Sequence, residues 1–60
     1  MNVKVGDRIR ILKMDDPYAL YYPGKEGIVT YIDDMGHLHG TWGGLAVLLD
    51  VDEIEVINNQ

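Results

Sequence analysis

Pro23-Gly24-Lys25-Glu26-Gly27-Ile28-Val29-Thr30-Tyr31-Ile32-Asp33-Asp34-Met35-Gly36 reads as turn, strand, turn, at the centre of a chain of 60 residues. Pro23-Gly24 marks the first reversal. From Gly27 on, Val29 and Tyr31 fall on one face, and Ile28, Thr30 and Ile32 on the other, because side chains alternate along a strand. Both faces are partly apolar, so alternation alone does not say which is inside. A bulge near Tyr31 lets Val29 and Ile32 both point inward. Asp33-Asp34-Met35-Gly36 closes as a hairpin loop, with Gly36 able to take a positive φ. The stretch predicts the second strand of a small β-barrel.

Upstream, Arg8-Ile9-Arg10-Ile11-Leu12-Lys13 alternates cleanly, with Ile9 and Ile11 on one face and Arg8 and Arg10 on the other. Residues 14–26 form a long connection. Asp15-Asp16-Pro17-Tyr18 is a turn signal, yet Tyr18, Ala19, Leu20, Tyr21 and Tyr22 are apolar for a loop, so it is expected to fold back on the barrel. Downstream, a third strand is predicted over 37–42, a tight turn at Gly43-Gly44, and a fourth strand over 45–49. Asp50-Val51-Asp52-Glu53 suits one short helical turn, its acids favouring the dipole at its start. A last strand covers 54–57, and Asn58-Asn59-Gln60 is a polar tail. Five short strands without an amphipathic helix imply a small barrel or sandwich. The long first loop, two tight hairpins and one-turn helix, expected as a short 3-10 turn before the last strand, are the layout of an SH3-like barrel spanning 1–57.

The whole chain sets bounds on this reading. Sixty residues make one domain, and a chain that short buries only about 60% of its unfolded surface. It has no cysteine, so no disulfide or thiolate-zinc staple supports the core. The expected setting is cytoplasmic: no apolar run approaches the roughly 20 residues of a membrane helix, and the N-terminus lacks an apolar signal core. Ten acidic residues against five basic ones give a formal net charge of −5. That field repels phosphate backbones and counts against duplex nucleic acid as a partner.

Four groups carry candidate chemistry. The aromatic residues Tyr18, Tyr21, Tyr22, Tyr31 and Trp42, with Asp15 and Asp16 nearby, are placed to flank a groove that holds a peptide or planar ligand. The competing reading is that the rings close the barrel ends. His37 and His39, two apart on a strand, face one way; with Asp33 or Asp34 they fall short of a convincing zinc set, and no metal or other cofactor is expected. Lys4, Arg8, Arg10 and Lys13 form a basic stripe in which Arg8 and Arg10 are the candidate phosphate contacts; the alternative is a solvated face paired with Glu55 or Glu53. The acidic pairs are either solubilising turns or a mimic of nucleic-acid phosphates. Thr30 and Thr41 are the only side-chain hydroxyls besides the tyrosines, so no nucleophile, base and orienter can be assembled, and no catalytic residue is expected.

Three segments together resemble one known family: Val5-Gly6-Asp7-Arg8-Ile9-Arg10-Ile11, Met14-Asp15-Asp16-Pro17-Tyr18, and Pro23-Gly24-Lys25-Glu26-Gly27-Ile28-Val29. The likeness runs on through Tyr31-Ile32-Asp33-Asp34-Met35-Gly36, Trp42 and Asp52-Glu53-Ile54-Glu55-Val56-Ile57. The family is one of small SH3-like domains of unknown function from Gram-positive bacteria, their phages and mobile elements. Trp42-Gly43-Gly44-Leu45 departs from its longer Asp-Asn-Gly type of turn. The resemblance implies an SH3-like fold and a mobile-element setting, and assigns no catalytic residue. The expectation is a non-enzymatic binding module, a phage or mobile-element accessory protein that engages a host protein such as a defence enzyme. The alternative is a nucleotide or nucleic-acid binder using Arg8, Arg10 and the loop aromatics. A homo-oligomer through an edge strand is compatible with both.

Overall fold

A computed structural model describes residues 2–58. It is all-β, with strands β1 (Arg8–Lys13), β2 (Glu26–Ile32), β3 (Leu38–Gly40), β4 (Gly43–Val47) and β5 (Glu53–Val56). They form one antiparallel sheet in the order β4-β3-β2-β1-β5. Consecutive strands pair as hairpins until β5, which returns to lie beside β1. Strands β4 and β5 are the two edges of the sheet.

The alternation in β1 sets the inner face. Ile9 and Ile11 are fully buried, while Arg8 and Arg10 stay at the surface. In β2 the register slips by one residue: Val29 pairs with Gly40, but Tyr31 pairs with His39. Thr30 is the extra residue, and this bulge reverses the facing of the residues after it. Val29 therefore sits in the core and Ile32 packs against it, while Tyr31 is turned outward. A second slip between Ile11 and Lys13, against Ile54 and Glu53, leaves Leu12 on the surface. Ile9, Ile11, Val29, Leu38, Trp42, Val47 and Ile54 make the core, with Val3, Met14, Tyr22 and Ile32 packed around them.

The β3–β4 reversal differs from the expected one. Gly40 pairs with Gly43, so the chain turns at Thr41-Trp42, and Gly43-Gly44 begin a strand. Burial of the indole is the physical reason. Trp42 drops beneath the sheet at the turn, and its Nε1–H donates to the Leu45 carbonyl at 2.8 Å. Thr41 Oγ1 accepts the N–H of Ile28 at 2.9 Å and pins the turn to β2. Gly43 takes a φ of 146°, which favours glycine.

Ahead of β5 the chain makes a hydrogen-bonded turn: the N–H groups of Val51 and Asp52 both donate to the Leu48 carbonyl, at 3.0 and 2.8 Å. Asn58, read from sequence as the start of the polar tail, is fastened. Its Oδ1 accepts the N–H of Arg8 at 2.8 Å, and its Nδ2 donates to Asp7 at 3.0 Å. Met1 and the rest of that tail, Asn59 and Gln60, lie outside the described residues.

Candidate binding surface

The 14–25 loop is built from three turns in series. Ala19 N–H donates to the Asp16 carbonyl, Tyr22 N–H to that of Ala19, and Lys25 N–H to that of Tyr22, at 2.9–3.0 Å. This period of three brings residues 19 and 22 to the inner side and carries the residues between them outward. Ala19 is buried and Tyr22 half-buried, whereas Tyr18, Leu20 and Tyr21 are 87%, 75% and 85% exposed. Asp16 Oδ1 accepts the N–H of Tyr18 at 2.7 Å, a side-chain turn that fixes the first ring's position.

Both ends of the loop are tied to the sheet. At its start, the buried Asp52 carboxylate accepts the N–H of Asp15 with one oxygen and that of Leu48 with the other, each at 2.8 Å. At its end, Gly24 N–H donates to the Ile11 carbonyl at 2.7 Å, and Ile11 N–H to that of Lys25 at 2.8 Å. Between these ties, Tyr22 leans on the sheet, its Oη accepting the N–H of Leu45 at 3.4 Å, and Lys25 Nζ lies 4.9 Å from the centre of its ring. The backbone is held while three apolar side chains face water.

The expected aromatic groove is thereby divided. Asp15, Asp16, Tyr18 and Tyr21 share the exposed loop, and Tyr22 lies beneath it as support. Trp42 does not belong to this surface: at 1% exposure it has nothing to offer a ligand, and the expectation that it flanks a groove is corrected. Its ring is core because Gly40, without a Cβ, leaves room where a methyl would meet the indole and the Ile28 carbonyl. Leu20 joins the surface although sequence reasoning did not single it out. The turn period was the missing signal, and alternation of two or of 3.6 residues does not carry it.

The basic stripe is neutralised within the fold at Lys4 and Arg10. Arg10 reaches Glu26 with Nε and Nη2 at 3.2 and 2.9 Å, and Glu55 with Nη1 at 2.5 Å. These bonds, Glu26's foremost, push the guanidinium above its usual range. Lys4 pairs with Asp7 at 3.1 Å. Arg8 is half-buried, and Lys13 stands opposite Glu53 in register. A phosphate at Arg10 would have to displace two carboxylates.

At the β2–β3 hairpin, Asp33 organises the loop. Its Oδ1 accepts the N–H groups of Met35 and His37 at 3.0 and 2.9 Å, and its Oδ2 lies 2.8 Å from His39 Nε2. The bond from His39, then that from the His37 backbone, hold this carboxyl below its ordinary range. His37 Nδ1 is 3.9 Å from the same oxygen, and the His39 ring is tilted by 43° against Tyr31 at 5.6 Å. Among the described residues no group of three or more His, Cys, Asp and Glu side chains is set to hold a metal ion. The hydroxyl of Thr30 donates to the His39 carbonyl at 3.3 Å. No helix of the described residues is long and apolar enough to cross a membrane.

Comparison with known families decides the relationship. The family described as a domain of unknown function (DUF4314) matches residues 2–57. The chain belongs to that family. No curated protein and no solved structure matches this DUF4314 domain significantly.

Proposed function

We propose that this DUF4314 domain is a non-enzymatic binding module that docks on a protein through Tyr18, Leu20 and Tyr21, with Asp15 and Asp16 at the border of the contact. The observation that carries the reading is an exposed apolar trio on a backbone tied at both ends. Large rings presented on an ordered backbone lose little freedom on binding, and such residues supply much of the energy of protein contacts. We further read the sheet as an SH3-like barrel. The order β4-β3-β2-β1-β5, the long first loop and the hydrogen-bonded turn before β5 support this. The setting in this reading is the cytoplasm of a Gram-positive host, with a phage or mobile element as the source and a host protein, such as a defence enzyme, as the partner. The neutralised Arg10 speaks against the nucleotide-binding alternative.

The test is capture from a Gram-positive lysate by the tagged domain, with and without nuclease, alongside Tyr18→Ala and Tyr21→Ala. A stoichiometric protein that survives nuclease and is lost with both variants is the expected result. Retention by both variants, or loss on nuclease treatment, defeats the reading.

A further inference from the structure

The two edges of the sheet are not equivalent. At β4, the backbone of Leu45 is engaged from within the chain: its N–H meets Tyr22 Oη and its carbonyl meets the Trp42 indole. At β5, hydrogen-bond parity leaves two residues facing out. Ile57 N–H donates to the Arg8 carbonyl at 2.8 Å, so residues 57 and 55 turn their polar groups toward β1. Ile11, opposite Ile54, uses its own N–H and carbonyl on Lys25 and Gly24, across the other side of β1. Polar groups alternate from side to side in an antiparallel ladder. The N–H and C=O of Ile54 and Val56 therefore point away from β1, where no strand lies among the described residues.

Beside this edge is an open groove of about 340 Å³ lined by Leu12, Leu49, Asp52, Glu53 and Ile54. Leu12 reaches it because the β1 bulge turns that side chain outward. The edge is acidic: Glu55 is held by Arg10, and Glu53, though opposite Lys13 in register, makes no ion pair among the described residues. These charges select the occupant. A second copy of β5 laid antiparallel would bring Glu53 and Glu55 close to their own counterparts, and like charges facing across strands are destabilising.

We propose that the β5 edge accepts an extended basic segment of a partner protein as an added strand, aliphatic residues alternating with Lys or Arg. The segment's backbone pairs with Ile54 and Val56, an aliphatic side chain enters the groove between Leu12 and Leu49, and a cation meets Glu53. This surface is separate from the Tyr18–Tyr21 loop and does not rest on that loop's role.

The probe is a short capped peptide alternating valine and lysine, titrated into the isotope-labelled chain and followed by NMR and amide exchange. Shifts and new protection at the amides of Ile54 and Val56 are expected. The same peptide N-methylated at alternate amides should bind about tenfold more weakly or worse, since it can no longer donate to the Ile54 and Val56 carbonyls. Glu53→Lys should weaken the parent peptide and flatten its salt dependence. Val56→Pro removes an N–H that serves no internal ladder bond, so it should abolish binding in a folded chain; if that variant does not fold, the N-methylated comparison on the unaltered chain decides. No binding of the parent peptide, equal binding of the methylated one, or shifts centred on Tyr18 and Tyr21 overturn the proposal. So does protection of Ile54 and Val56 that grows with protein concentration alone, which would assign the edge to a second copy. Tyr21→Ala should leave this titration unchanged, which separates it from the fate of the loop reading.

Discussion

Trp42, at the turn between β3 and β4, and Tyr21, in the loop before β2, both stand in stretches marked by turn residues, yet one ring is 1% exposed and the other 85%. The difference lies in what the surrounding backbone leaves open. Beneath Trp42, Gly40 contributes no Cβ, and the Leu45 carbonyl waits as the one acceptor the indole needs. A buried ring with a satisfied polar atom is stable there. In the loop, the three-residue turn period offers inner places only at 19 and 22, and Ala19 and Tyr22 occupy them. Tyr21 is directed outward by the same hydrogen bonds that order its neighbours.

Substitutions break this comparison in graded ways. Trp42→Ala should cost about 3–5 kcal/mol, enough to unfold much of a domain this small. Tyr21→Ala should stay within about 0.5 kcal/mol. Urea melts of the two variants side by side measure the contrast, and similar losses would refute it. Gly40→Ala comes next, at about 1–3 kcal/mol from overpacking against the indole and the Ile28 carbonyl; loss of the buried-Trp fluorescence signature reads it.

The loop side is sharpened by Asp52→Ala. It leaves the N–H groups of Asp15 and Leu48 without their acceptor, a loss of about 1–3 kcal/mol. Amide exchange should quicken at those two residues first, while the core amides of β1 change less. The smallest effect concerns acid. The Lys4 backbone N–H, then the Asn58 amide and the Lys4 ammonium, hold the Asp7 carboxyl below its ordinary value. A carboxyl depressed in the folded state stabilises above the unfolded pKa of about 3.9, and that contribution is lost as pH falls through the folded value. Asp33 acts in the same direction. Thermal midpoints should therefore decline below about pH 4, and Asp7→Asn should flatten part of that decline.

Much of the sheet was legible because its signals are local. Alternating Ile9 and Ile11, the turn residues Pro23-Gly24 and Asp33–Gly36, and the two-faced apolar pattern around Tyr31 led to β1, β2 and the bulge between Val29 and Tyr31. The β3–β4 turn was not legible. Gly43-Gly44 is the stronger turn signal, and only the core's demand for the Trp42 ring moves the reversal two residues earlier. Of the surface set, Tyr18 and Tyr21 were found by composition, whereas Leu20 and the exclusion of Trp42 depend on three-dimensional placement. Acids were the hardest to sort. Asp7 and Asp52 look like their solvated neighbours Asp15 and Asp16, yet each is buried and joins a nearby backbone N–H, of Lys4 or Leu48, to a partner far along the chain, Asn58 or Asp15.

The carboxylate of Asp7 accepts the backbone N–H of Lys4 at 3.0 Å on one oxygen and the amide of Asn58 at 3.0 Å on the other. The segment that leads into β1 and the one that follows β5 thus meet on a single side chain. The two segments lie close enough that the chain could be reopened at an exposed loop with the strand pairs kept. Such a unit can be carried as a cassette in an exposed loop of a larger protein without forcing the host's flanking residues apart.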